Sequence, residues 1–163
     1  MLDRRHFLER VLTAALFYPA HQLSEDLRGP KAEGLAHRFG VTGYPIKYPG
    51  QGATLSGYLA KPDCGGLYPA MILIHGDGGL DDRIREKAHR TAASGLVVLA
   101  VDQLSRAGGT TSFDSPEALR KAIQGLPHEI ALADLESAYR YLATNPSVRE
   151  DSIEVAGPQN IFN

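Results

Sequence analysis

Hydrophobic and polar positions are interleaved in two neighbouring segments that begin near residue 41. Residues 41–48 and 54–61 each mix β-branched and aromatic side chains with polar ones, a pattern typical of strands with one exposed face. Pro49-Gly50-Gln51-Gly52 lies between them, and clustered proline and glycine indicate a turn. The two segments are therefore predicted to form an antiparallel hairpin.

Further along the chain the apolar positions form continuous runs. Ala70–Ile74 and Leu96–Val101 contain no polar residue, which is typical of strands buried on both faces of a parallel sheet. A third strand is predicted at Ser152–Ala156. Three helices are predicted between these strands, at residues 82–94, 115–124 and 127–144. The order predicts an α/β domain over residues 41–163, with the hairpin followed by a mostly parallel sheet and flanking helices.

The first two helices carry recognisable start signals. Asp81 or Asp82 is the expected N-cap of the first, and Ser115 is the expected N-cap of the second, with Pro116 at its first position. The long third helix has apolar residues at helical spacing and is closed by Pro146.

The N-terminal residues predict an export signal. Arg4-Arg5 is followed by Phe7-Leu8 and then by the mostly apolar run 11–20, a layout that resembles a twin-arginine signal. Residues 1–25 are assigned to this signal or, alternatively, to an amphipathic N-terminal helix, and residues 26–40 to a linker. A working signal implies a periplasmic protein; without it the protein is expected in the cytoplasm.

Composition and charge exclude several classes of protein. The 163 residues carry 17 Lys and Arg against 19 Asp and Glu, a formal net charge of −2, which is not the basic balance of a nucleic-acid-binding protein. No apolar run reaches the roughly 18–20 residues that span a bilayer. The single cysteine, Cys64, excludes an internal disulfide; it follows Asp63 in a predicted loop and is expected to be unreactive.

Candidate chemistry lies at the predicted strand ends, because ligands of parallel sheets bind beyond the carboxyl ends of the strands. Gly76-Asp77-Gly78 follows one strand and Asp102 ends the next, which leaves a dinucleotide-binding fold open as an alternative. That fingerprint is incomplete, since its third glycine position holds Asp81. A second alternative is a metal site formed by Asp77, Asp81, Asp82 and His89. The spacing of these residues matches no metal-binding motif.

Several segments form a recognisable pattern through their order and spacing. They are residues 57–62, 71–75 with 79–80, 93–102 with 104–106 and 108–110, 134–138, and 153–157. Together they resemble the dienelactone hydrolase (carboxymethylenebutenolidase) family of α/β-hydrolases, particularly its members with twin-arginine signals. The resemblance covers about residues 1–157.

The resemblance implies hydrolysis of a small ester or lactone through an acyl-enzyme, with a Cys or Ser, His and Asp triad and neither cofactor nor metal. His75, Gly76 and Asp77 correspond to the oxyanion loop, in which the Asp77 amide is the expected donor. Family members carry a carboxylate where this chain has Gly76. Arg106 matches an arginine that binds a substrate carboxylate.

The chain departs from the family pattern at the nucleophile. A G-x-C-x-G or G-x-S-x-G turn is expected after the last strand, but the sequence there is Gly157-Pro158-Gln159-Asn160-Ile161. Gln159 occupies the nucleophile position, and an amide cannot attack a carbonyl. We therefore interpret the chain as the N-terminal portion of an incomplete α/β-hydrolase fold, truncated at this turn and inactive as it stands. The alternative is a non-catalytic module that associates with a partner or with its own copies through the exposed sheet edge.

Overall fold

The computed structural model describes residues 40–158. The signal assigned to residues 1–25, nearly all of the linker and Gln159 lie outside the described residues. Within residues 40–158, no helix is long and apolar enough to cross a membrane.

The predicted hairpin is present, but its turn is shorter than predicted, because Pro49 and Gly50 belong to the first strand and are paired with the second. Strand β1 (Val41–Gly50) pairs antiparallel with strand β2 (Ala53–Pro62) along their whole length. Gly52 sits in the turn with φ of +68°, a conformation that side chains with a Cβ disfavour.

The two continuous apolar runs and the third predicted strand form a parallel unit. Strand β3 (Tyr68–Ile74) pairs in parallel with β4 (Val97–Val101) and with β5 (Val148–Ala156). Strand β2 joins this unit antiparallel to β4, giving the order β1-β2-β4-β3-β5. The predicted α/β class, with a hairpin followed by parallel strands, is confirmed; the five-stranded sheet as a whole is mixed.

Within residues 40–158, three α-helices flank the sheet, and they lie between β3 and β5 in the chain. They are α1 (Asp82–Ala92), α2 (Pro116–Gln124) and α3 (His128–Ala143). Asp81 caps α1 by accepting a hydrogen bond from Ile84 N–H, and Ser115 caps α2 in the same way. Both caps agree with the sequence prediction, and α1 ends two residues earlier than predicted.

Two apolar clusters hold helices to opposite faces of the sheet. One contains buried residues of α3 together with Leu59, Ile72 and Leu99. The other contains Ala88 and Ala92 of α1 packed on Leu73 and Val98. Since both faces are covered at the centre of the sheet, the carboxyl ends of β3 and β4 are held in fixed positions side by side.

Candidate functional site

The candidate site lies where β3 and β4 end. Ile74 is aligned with Val101 in the parallel pair, so the residues that follow, His75 and Asp102, are neighbours across the sheet. The register therefore places two of the predicted strand ends next to each other.

His75 is a structural residue of this site. It is 0% exposed, its Nδ1–H donates to the Gly76 carbonyl at 2.9 Å, and its Nε2 accepts from the Gln103 N–H at 3.2 Å. Burial lowers the pKa of His75, against opposing contributions from the Gly76 carbonyl and Asp102. With both nitrogens occupied and the ring neutral, His75 is not placed to serve as a general base.

Asp102 ties the two loops of the site together. Its Oδ1 accepts from Leu104 N–H at 3.1 Å and from the Thr110 hydroxyl at 3.0 Å, while Oδ2 accepts from Thr110 N–H at 2.8 Å. The same Thr110 Oγ1 accepts from Leu80 N–H at 2.9 Å. A continuous hydrogen-bonded chain therefore runs from the loop after β4 to the loop after β3.

Gly79 allows these two loops to approach closely. Its φ is +68°, and a Cβ at this position would lie 2.4 Å from Thr110 Cγ2. Any other residue would therefore meet both backbone strain and a steric overlap. The role of Thr110 was missed by sequence reasoning, because a threonine after two glycines carries no signal of which amide it will bind.

The predicted oxyanion loop runs from buried His75 to exposed Asp77, and its key donor is free of hydrogen bonds among the described residues. Asp77 is exposed, and its N–H makes no hydrogen bond within residues 40–158. Gly79 N–H donates to the Gly76 carbonyl at 3.1 Å, which forms the turn that presents the Asp77 amide. Arg120 of α2 places its Nε 3.9 Å from Asp77 Oδ2, so α2 lies beside this loop.

Arg106 is engaged by protein groups in this structure. Its Nε lies 3.1 and 3.0 Å from the two carboxylate oxygens of Asp134, and its Nη2 donates to Asp134 Oδ1 at 2.7 Å and to the Gln51 carbonyl at 2.9 Å. These hydrogen bonds to Asp134 raise the pKa of Arg106. The guanidinium thus joins the loop after β4 to α3 and to the β1–β2 turn. Its role in binding a substrate carboxylate stays a prediction.

Gln103 is a further polar residue of this site, which the sequence placed at the end of the second buried strand without assigning it a role. Its side chain is buried, and its Oε1 accepts no hydrogen bond within the described part of the chain. A buried acceptor without a donor costs free energy. A hydrogen-bond donor placed beside Gln103 Oε1 would therefore stabilise the end of β4.

The end of β5 is packed tightly against β3. A Cβ at Gly157 would lie 2.7 Å from Ile74 Cβ, so the position that corresponds to the first glycine of the nucleophile turn requires glycine for close packing. Cys64 is exposed and follows β2. Since β2 runs antiparallel to β4, Cys64 lies at the end of the sheet where β3 and β4 begin. His75 lies at the other end, where these strands finish.

The residues of the alternative metal site have separate roles. Asp81 caps α1 and accepts from Arg83 Nε at 2.9 Å; burial opposes its ionisation, but these hydrogen bonds outweigh that effect and leave the pKa of Asp81 lowered. Asp82 pairs with Arg85, and His89 Nε2 lies 2.8 Å from the Tyr58 hydroxyl. No metal-ligating group of three or more such residues occurs in the described range.

The fold and the strand-end site define the chain as part of an α/β-hydrolase domain. The family model of the dienelactone hydrolase family matches residues 55–157, and the chain belongs to that family.

Curated relatives agree with this family, and a solved structure agrees with the fold. The chain is 31% identical over 116 residues to a "Putative carboxymethylenebutenolidase" of Synechocystis, covering 69% of this chain and 47% of the relative. It is 29% identical over 100 residues to a "Probable 2-oxo-3-(5-oxofuran-2-ylidene)propanoate lactonase" of Bradyrhizobium, covering 61% of this chain and 40% of that relative. The crystal structure of a "Putative Dienelactone Hydrolase" from Klebsiella pneumoniae superimposes with a TM-score of 0.65 at 22% identity, covering 72% of this chain and 50% of that one. The chain thus spans about half the length, or less, of these proteins.

Proposed function

We propose that residues 41–157 supply one part of the active site of an ester or lactone hydrolase. The observation that carries this proposal is the backbone amide of Asp77, an exposed residue just after β3, which makes no hydrogen bond within residues 40–158. Such an amide stabilises the oxyanion that forms when a nucleophile adds to the ester carbonyl. The alcohol then leaves, and water releases the acid from the acyl-enzyme; none of these steps uses a cofactor.

We further propose that the 163-residue chain does not carry out this reaction alone. Its serines and Cys64 lie outside any G-x-S-x-G or G-x-C-x-G sequence, and Gln159 stands at the nucleophile position. His75, which lies beside the oxyanion loop, is buried and has both ring nitrogens occupied. Loss of a whole triad leaves only a residual rate of about 10³–10⁴ over water from the oxyanion hole and binding.

A chimaera tests both proposals: that residues 41–157 supply part of a hydrolase active site, and that the 163-residue chain alone does not catalyse the reaction. Residues 1–157 are joined to the C-terminal portion of the Synechocystis relative, beginning at its nucleophile turn, and p-nitrophenyl acetate hydrolysis is measured. We expect turnover by the chimaera and none by the 163-residue chain above a denatured control. The control is the same chimaera with its grafted nucleophile replaced by Ala, and this variant should lose the activity.

Two results would contradict the proposal. A folded chimaera that lacks turnover would show that residues 1–157 do not provide a competent oxyanion site. Turnover by the 163-residue chain that disappears in Cys64→Ala would show that the nucleophile is Cys64.

A second candidate function is a non-catalytic module that associates through its sheet edge. Strand β5 is the last strand of the sheet, so one of its edges is unpaired within residues 40–158. Exposed charges at Arg149, Glu150 and Asp151 oppose unspecific pairing of such an edge. A stable oligomer of the inactive chain in light scattering would favour this module over the hydrolase.

We also propose that the protein is exported through the twin-arginine route. The support is the Arg4-Arg5 pair before the apolar run 11–20. Residues 1–40 fused to a reporter protein should direct it to the periplasm, and replacing both arginines with lysine should retain it in the cytoplasm. Equal export of both fusions would exclude this route.

A further inference from the structure

A cleft of about 430 Å³ lies over the hairpin, on the face of the sheet that carries α1. Its floor is formed by Pro45 and Lys47 of β1, which are aligned with Tyr58 and Ser56 of β2. The start of α1 with Arg85 forms one wall, and residues 108–111 contribute to another. The volume falls in the range of small-molecule sites, roughly 300–1,000 Å³.

The cleft is open because small residues line it. Three of its lining positions are Gly57, Gly108 and Gly109, and Ser56 is a fourth small residue. The backbone keeps two of these positions small, because Gly108 has φ of +93° and Gly109 has φ of +91°, a conformation that side chains with a Cβ disfavour. The space is therefore built into the backbone and does not depend on one side-chain conformation.

The cleft carries two cationic side chains, Lys47 and Arg85. Lys47 takes part in none of the ion pairs found within residues 40–158. Arg85 pairs with Asp82, whose side chain is 96% exposed, and an exposed pair of this kind contributes little. The one lining carboxylate, Asp102, already accepts three hydrogen bonds from Leu104 and Thr110.

The remaining lining groups are suited to a small organic molecule. The Tyr58 ring and the side chains of Pro45 and Leu80 are apolar, and Ser56 adds a hydroxyl. We propose that this cleft binds a small organic carboxylate, with its anionic group between Lys47 and Arg85 and its apolar body against Tyr58. Residues 75–77 of the oxyanion loop do not line it, so the proposal does not depend on the proposed hydrolysis.

Nuclear magnetic resonance on the full 163-residue chain tests the site directly. Benzoate is titrated into labelled protein at low salt, and its uncharged analogue benzamide is titrated in parallel. We expect saturable shifts at amides of residues 45–47, 56–58 and 108–111, with a dissociation constant of about 5 mM or tighter. Benzamide should bind at least about tenfold more weakly, because it lacks the charge that Lys47 and Arg85 recognise.

Charge variants separate the cleft from general attraction of anions. Lys47→Gln and Arg85→Gln should each weaken benzoate binding by about fivefold or more. Lys87→Gln, an exposed position on the same helix that does not line the cleft, is the matched control and should leave affinity unchanged. The proposal is overturned by non-saturable shifts, by equal binding of benzamide, or by unchanged affinity in both cleft variants when these retain the wild-type circular dichroism spectrum.

Discussion

Replacing Leu99 with Ala is expected to destabilise the protein by about 2–5 kcal/mol. Leu99 is 0% exposed in the middle of β4, between β2 and β3, and belongs to the cluster that α3 covers. Truncation removes buried methyl groups and leaves a cavity that neighbouring strands cannot fill by moving. Urea unfolding monitored by circular dichroism measures the change in the free energy of unfolding.

The chain offers a matched control for this experiment. Leu67 is 64% exposed, just before β3, and Leu67→Ala should change stability by no more than about 0.5 kcal/mol. A loss in Leu99→Ala no larger than in Leu67→Ala would mean that β4 is not at the centre of the fold.

The second large effect is expected at Asp102. Asp102→Ala removes the acceptor for Leu104 N–H, Thr110 N–H and the Thr110 hydroxyl, and unsatisfied donors of this kind cost about 1–3 kcal/mol each when buried. Because these groups are partly buried, we expect a total loss of about 2–4 kcal/mol in urea unfolding. Asp102→Asn keeps one acceptor oxygen and should lose less.

Local and global effects of the Asp102 change can be separated. Asp114→Ala is the control, because Asp114 is exposed, and it should be close to neutral. The amide resonance of Leu80 should move in Asp102→Ala, since Leu80 N–H donates to Thr110, whose hydroxyl Asp102 holds. An unmoved Leu80 resonance together with unchanged stability would refute the connection between the two loops.

The strands and helix starts could be predicted because they depend on short segments. Alternation and proline–glycine turns marked β1 and β2, and uninterrupted apolar runs marked β3 and β4. Strand β5 was predicted to begin at Ser152 but begins at Val148. Residues 149–151 are charged and exposed, and charges of this kind are tolerated where a strand lies at a sheet edge, a position that only the topology reveals.

The contacts of the site were less accessible to sequence reasoning. The strand ends at His75 and Asp102 followed from the α/β pattern, but their hydrogen-bond partners did not. Arg106 contacts Asp134 and Gln51, which are 28 and 55 positions away, and neither separation corresponds to a local periodicity. A resemblance can assign Arg106 to substrate binding, whereas only the folded chain shows which carboxylate and carbonyl already surround it.

The two apolar clusters have different consequences while the protein is being synthesised. The buried residues of the α1-side cluster all lie between Ala60 and Ala100, so this side of the sheet can close before the rest has left the ribosome. The other cluster needs residues of α3 and β5 as late as Val155. At about 5–20 residues per second, the nascent sheet exposes an apolar surface for several seconds, and transiently exposed surface of this kind is prone to aggregation.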